Sequence, residues 1–269
     1  MRKVFLFVLL LFLVAFGFFL SGSRKSVDKA NLKQNNVQKQ KEMKDLDPTP
    51  IAKTFIFDGQ QYKYAYKMVP SSSNIFLFPN FTTKYTSNEI IKNLNCIFGI
   101  NGGFYQKDGT PLGLFYIDNK MLSVQIQSAT FDGFIAKKNN SKNLIIGEIA
   151  SDLGVVDSYE FIVQSGPYYD LRNESTKIFT DEEYARRSVI AQDQDDNTFF
   201  FTIFLNSNKY KGPRLSDVYN IFTKSELANI SKFTKIINMD GGTASSFYDQ
   251  KTDTSVRELT PIGSFLCGI

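Results

Sequence analysis

From residue 53 onward the chain runs in short apolar segments, several of them alternating with polar positions, each stopped by turn residues. The segments are KTFIFDGQQYKYAYKMV (53–69), NIFLFPN (74–80), NCIFGING (95–102), LGLFYIDNKML (112–122), GFIAKK (133–138), EFIVQSGP (160–167), RRSVIAQDQDDNTFFFTIFLN (186–206) and KIINMDGG (235–242). Their Phe, Ile, Val and Tyr residues suit a pleated, half-buried surface, so the pattern predicts strands. Helical spacing is rarer. It predicts helices over Asn88 to Leu94 and over Ser216 to Leu227, the second with Ser216 as its N-cap. The expected fold is therefore α+β, mainly antiparallel β-sheets with a few helices, over residues 51–269. No repeat of solenoid period interrupts it.

A different pattern precedes this domain. Arg2 and Lys3 lead into an unbroken apolar run from Val4 to Leu20, followed by Ser21, Gly22 and Ser23. Seventeen apolar residues exceed a usual signal core and just reach the span of a bilayer, so residues 1–23 read as a signal peptide or membrane anchor, with the balance toward an anchor. The paired basic residues would stay in the cytoplasm and the rest would be exported, tied to the membrane through residues 4–20 or secreted after cleavage. Residues 24–50 are rich in Lys, Asn and Gln without an aromatic residue. They read as a disordered linker that Pro48 and Pro50 close.

Composition then narrows the chemistry. The net charge is +4, but residues 1–50 hold nine basic and four acidic side chains, leaving the folded part near neutral. A nucleic-acid partner, which needs a basic face, is not expected. Histidine is absent, which excludes Ser-His-Asp and Cys-His sites and imidazole-bound zinc. Catalysis has to rest on carboxylates, Lys, Arg, hydroxyls, amides or a hard metal held by oxygens. No cofactor is expected beyond a weakly bound divalent ion, since DQDDN (193–197) lacks the spacing of a calcium or magnesium loop. Cys96 and Cys267 are the only cysteines, and the sequence leaves open a disulfide or two buried thiols.

Two segments echo each other: INGGFY (100–105) and MDGGTASSFY (239–248). Asn-Gly and Asp-Gly are common hairpin turns, and that reading stands. The other reading places an amide and a carboxylate at strand tips, with glycines that let a ligand reach the backbone. If the corners form one site, two strands end side by side in the same sheet region, Asn101 and Asp240 lie within about 10 Å, and an arginine faces them in a shared cleft.

The ordered pieces INGGFY, GTPLGLFYIDNK, VQSGP, RRSVIA, IINMDGG, SSFY and RELTPIG resemble the phosphodiester glycosidase family over about residues 95–265. The bacterial branch of that family is long known as a domain of unknown function. The resemblance implies a hydrolase that cleaves a sugar-1-phosphodiester in envelope or extracellular glycans. The alternative is a non-catalytic envelope module that binds phosphorylated glycans. It further implies Asp240, Asn101 and Arg187 as catalytic residues. Asp240 would activate water, stabilise the sugar cation or ligate a hard metal, and Arg187 or Arg186 would clamp the phosphate. Substrate contacts would come from Gly102, Gly103, Phe104, Gln164, Ser165, Gly166, Gly241, Gly242, Ser245 and Ser246. Thr243 and Ala244 depart from the family pattern between the glycines and the serines.

Overall fold

The computed structural model describes residues 52–173, 177, 179 and 183–269, so the targeting segment and linker expected over 1–50 lie outside the described residues. The chain forms β1 (Lys53–Phe57), β2 (Gln60–Met68), β3 (Ile75–Pro79), α1 (Ser87–Leu94), β4 (Phe98–Asn101), β5 (Phe115–Ile117), β6 (Lys120–Ser123), β7 (Gly133–Lys138) and β8 (Leu144–Glu148). Then follow β9 (Tyr159–Ser165), β10 (Tyr168–Asp170), β11 (Arg187–Asp193), β12 (Thr198–Leu205), α2 (Val218–Lys224), β13 (Phe233–Asn238), β14 (Phe247–Asp249), β15 (Thr254–Val256) and β16 (Ser264–Gly268). Turn chemistry sets several of these joints. Asp58 and Gly59 between β1 and β2 both have positive φ, 48° and 69°, as a tight hairpin requires.

Three antiparallel sheets result. The first has the order β1-β2-β12-β11-β13-β10, the second β15-β14-β4-β16-β3 and the third β6-β5-β9-β7-β8. Period-two alternation explains how they share one core. Ile190, Phe200 and Ile237 of the first sheet point to the same cluster as Phe98, Ile100 and Leu266 of the second and Phe115, Ile135 and Val163 of the third. Their neighbours Val189, Phe199, Phe201 and Ile236 point the other way and are covered by Val218, Ile221 and Phe222 of α2. Phe201 and Phe222 meet edge to face at 5.0 Å, an arrangement that adds about 0.5–1.5 kcal/mol to their burial.

The helices differ in detail from expectation. The first begins at Ser87, because Thr86 caps it through a capping box with Glu89. The second is interrupted. A 3-10 turn over Leu215–Asp217 contains Ser216, so Ser216 caps nothing, and α2 stops at Lys224. Ser225 then donates to the Ile221 carbonyl and accepts from the Leu227 amide, starting a separate 3-10 turn.

Cys96 and Cys267 are joined in a disulfide, resolving the two alternatives in favour of the bridge. It fastens the residue after the α1 C-cap to β16 across a sequence separation of 171. A loop of that length strongly restricts the unfolded chain, so replacing both cysteines by alanine is expected to cost about 2–5 kcal/mol. Chemical denaturation of the variant against the oxidised parent measures it; an unchanged midpoint would contradict the expectation.

Candidate active site

The two Gly-Gly corners meet, although β4 lies in the second sheet and β13 in the first. The expected side-by-side ending in one sheet region is thus corrected: the corners join two sheets. Past its last paired residue β13 continues as Met239, whose amide donates to the Ser188 carbonyl, and then as Asp240, whose amide donates to the Gly102 carbonyl. Asn101 fixes this junction. Its side-chain nitrogen donates to the Asp240 carbonyl at 2.7 Å and to the Gly102 carbonyl at 3.2 Å. Its side-chain oxygen accepts from the Ser188 hydroxyl at 2.6 Å and the Ser246 amide at 2.9 Å.

The glycines serve this close approach. A Cβ on Gly102 would lie 2.1 Å from Ser264 Oγ, and one on Gly103 2.6 Å from Val163 Cγ1. Their role here is packing of backbone against neighbours rather than an open ligand surface. The amides of three of the four corner glycines are engaged as well. Gly102 N–H donates to the Ser264 carbonyl, Gly242 N–H to the Arg186 carbonyl, and Gly241 N–H to Asp240 Oδ1.

A cleft of about 530 Å³ opens beside the junction. Asp240, Gly241, Thr243 and Ala244 form one part of its wall, Tyr105 to Lys107 and Gly109 another, Asn80, Phe81 and Lys84 a third, and Thr260 to Gly263 the last. Asp240 contributes the only carboxylate among the described lining residues. Burial pushes its pKa from 3.8 up to about 7, and the hydrogen bond from Gly241 N–H opposes that rise. Burial also raises the Tyr105 phenol, with a further rise from the nearby Asp240 charge; a hydrogen bond with Thr260 works the other way. Tyr105 donates its hydroxyl proton to the Pro261 carbonyl, which holds the ring against this wall.

Most of the expected site residues stand behind the cleft. Ser245 and Ser246 are buried, and Ser245 shares a 2.6 Å hydrogen bond with Ser188 rather than facing a ligand. Arg186 is fully buried and donates to the carbonyls of Ser245, Arg257 and Lys209. Arg187 donates to the carbonyls of Pro213 at 2.9 Å and Glu183 at 2.7 Å, and its Nη1 lies 3.7 Å from the position of a Cβ on Gly241. Neither arginine lines the cleft. Gln164 accepts from the amides of Leu114 and Ile126 and donates to the carbonyls of Ile126 and Phe131, which pins the 124–131 loop. Ser165 donates to the Asn238 carbonyl, Gly166 precedes a cis proline, and Phe104 packs edge to face on Phe131 at 4.8 Å. Of the expected set, Asp240 and Gly241 reach the cleft.

The cleft is also lined by Tyr105, Lys84, Lys107, Thr243 and Thr260, which the sequence reading did not name as site residues. Tyr105 closes the INGGFY segment and Thr243 sits in the departure from the family pattern, so both had a signal. A second cleft, about 430 Å³, is lined mainly by Phe76 to Pro79, Leu94, Ile117, Phe161 and Ile269 and contains none of the expected residues. Among the described residues no group of three or more Asp, Glu or Cys side chains is placed to hold a metal ion. In DQDDN the Asp193 carboxylate is occupied by the amides of Asp195 and Asn197 and the hydroxyl of Ser231.

The fold is shared with solved structures. The catalytic domain of zebrafish N-acetylglucosamine-1-phosphodiester alpha-N-acetylglucosaminidase, auto-inhibited by its pro-peptide, superposes with a TM-score of 0.57 at 13% identity, over 82% of this chain and 84% of that one. A hypothetical protein from Synechocystis gives 0.53 at 14% identity over 81% and 61% of the two chains, and a protein from Burkholderia pseudomallei K96243 gives 0.56 at 9% over 78% and 74%. No curated protein sequence matches significantly. The family model described as phosphodiester glycosidase matches residues 94–266, and the chain belongs to that family.

Two outcomes follow from the junction and the buried acid. Asn101→Ala leaves several buried partners unsatisfied and is expected to destabilise by about 2–4 kcal/mol, readable by denaturant titration. For Asp240, the folded state holds its proton up to about pH 7 while the unfolded state releases it near 3.8, so stability falls as pH rises between those values and the full penalty is present above about 7. Asp240→Asn removes that slope. The variant should gain on the parent as pH is raised from 4 to 8, and parallel stability curves would contradict the assignment.

Proposed function

We propose that this protein is a hydrolase that cleaves the bond between the anomeric carbon of a sugar and a phosphodiester, and that it works outside the cytoplasm on envelope or extracellular glycans. The observation that carries the reading is the Asp240 carboxyl in a cleft wide enough for a sugar, with a pKa of about 7 and no second carboxylate among the described lining residues. Ordinary glycosidases divide the work between two carboxyl groups, one of which protonates the leaving oxygen. A phosphate monoester carries its charge well and leaves without that help. One carboxylate is then sufficient. In its ionised form Asp240 takes a proton from water as the water oxygen bonds to the anomeric carbon. The carbon–oxygen bond to phosphate breaks with its electron pair on the phosphate oxygen, giving free sugar and a phosphate monoester. Tyr105 and Phe81 offer apolar ring surface for the sugar, in a chain without tryptophan.

Membership of the family supports this reaction class, and the zebrafish relative's name supplies the sugar-1-phosphodiester as the substrate type to test first. The disulfide supports an oxidising compartment, and the Arg2 to Leu20 pattern supports export with a membrane contact through residues 4–20. No nucleic-acid partner is proposed. A metal ion is not used in this reading.

The test is hydrolysis of synthetic sugar-1-phosphodiesters with detection of both products. Asp240→Asn is expected to lower kcat at least about 100-fold, the scale on which a general base contributes. In the parent, kcat/KM should rise with pH through about 7, as the carboxyl ionises. Near-parent activity in the variant, or a rate that falls over that range, would sink the assignment. Activity lost on chelation and restored by a divalent ion would replace the metal-free reaction.

A further inference from the structure

We infer that Lys84 and Lys107 are the specificity-determining residues of the cleft, taking the phosphate that the family resemblance assigns to Arg187 or Arg186. The inference rests on the hydrolase reading above and names the group that recognises its substrate's charge. A phosphodiester entering this cleft brings a negative charge toward Asp240, which is itself negative in its working form. Lys84 and Lys107 are the only cationic side chains among the described lining residues. Both are solvent-exposed, and neither pairs with a carboxylate among the described residues. Lys107 has an acidic neighbour in Asp108, but that carboxylate accepts from the amide and hydroxyl of Thr110.

Their backbone is held in place. Lys84 has φ 51°, the left-handed region that a lysine adopts rarely. Its loop is fastened by the buried Asn80, which donates to the carbonyls of Tyr85 and Ile262, accepts from Thr83 Oγ1 and the Tyr85 amide, and receives the Lys84 amide on its carbonyl. The Ile262 contact belongs to the adjoining part of the wall, where β16 pairs with β3, so one asparagine ties the Lys84 loop to the segment carrying Thr260 to Gly263. Lys107 stands in a turn closed by the Gln106 to Thr110 and Gly109 to Gln106 hydrogen bonds. Two ammonium groups on fixed loops bind a phosphate through charge, without the bidentate geometry a guanidinium imposes. They should therefore tolerate different groups esterified to the phosphate.

The experiment uses the full chain and two readouts. The first is KM and kcat on a sugar-1-phosphodiester for the parent, Lys84→Ala with Lys107→Ala, and Lys84→Arg with Lys107→Arg. The double alanine variant should raise KM at least about tenfold with kcat changed far less, and the double arginine variant should restore KM, because charge is what is read. The second is calorimetric binding of the corresponding sugar 1-phosphate to Asp240→Asn with and without the two alanines. Binding should weaken by a similar factor and depend on salt only when the lysines are present. Unchanged KM and binding in the double alanine variant, with hydrolysis intact, would overturn the lysine assignment and leave the hydrolase. A parent that neither hydrolyses the diester nor binds the sugar 1-phosphate would overturn both.

Discussion

The side-chain amide of Asn101 is the constraint from which the site follows. It is buried and uses its nitrogen and its oxygen to hold four groups: the carbonyls of Asp240 and Gly102, the hydroxyl of Ser188 and the amide of Ser246. Those groups come from the ends of β4, β13 and β11 and from the loop entering β14. No main-chain ladder joins β4 to β13, only the single bond from the Asp240 amide to the Gly102 carbonyl, so this amide adds the direction that the apolar contacts between the two sheets do not fix. Ser188 extends the link to Ser245, and Arg186 anchors Ser245 through its carbonyl. A buried polar cluster of this kind defines one register for the Asp-Gly-Gly loop because any slip leaves several groups unpaired.

That rigidity has an electrostatic consequence. Asp240 is held at the cleft wall by its backbone on both faces, its amide donating to Gly102 and its carbonyl accepting from Asn101. These bonds fix the backbone that carries the carboxyl beside the cleft. The carboxyl receives one amide hydrogen bond, from Gly241, where two or three would stabilise the anion. Desolvation wins, and the pKa moves toward neutrality. A base poised there can both take and release a proton near pH 7, while a carboxylate at its ordinary pKa would be too weak to help.

β2 was legible in the sequence because its polar and apolar positions alternate, and β11 and β12, buried on both faces, were legible as long apolar runs. β10, β14 and β15 have three residues each, and β8 and β16 five. Such short strands hold too few positions to show a period or a long apolar run. The meeting of Asn101 and Asp240 was also legible, because a repeated Gly-Gly after an apolar run marks strand ends. The roles attached to the neighbours were not. Arg187 and a phosphate-binding arginine look the same in one dimension, and only the carbonyls of Pro213 and Glu183 show where its donors go. Lys84 had no pattern to mark it, since its position depends on a left-handed backbone and on Asn80.

The division between interior and rim has a physical reason. At the junction three segments of backbone approach so closely that Gly102, Gly103 and Gly241 have no room for a side chain: a Cβ on Gly241 would lie 2.8 Å from the Arg186 carbonyl. Bare backbone brings the carboxyl of Asp240 to its place, but it offers a ligand little to recognise when the amides of Gly102, Gly241 and Gly242 are already engaged. Recognition then has to come from loops that end at the cleft without belonging to the hub, which are those of Phe81 to Lys84, Tyr105 to Gly109 and Thr260 to Gly263. Substitutions there leave the Asn101 network untouched, because sites on exposed loops add nearly independently to a packed core. In the proposed reaction the chemistry is therefore fixed by the part of the structure least able to change, and substrate choice falls to the part that changes at low cost in stability.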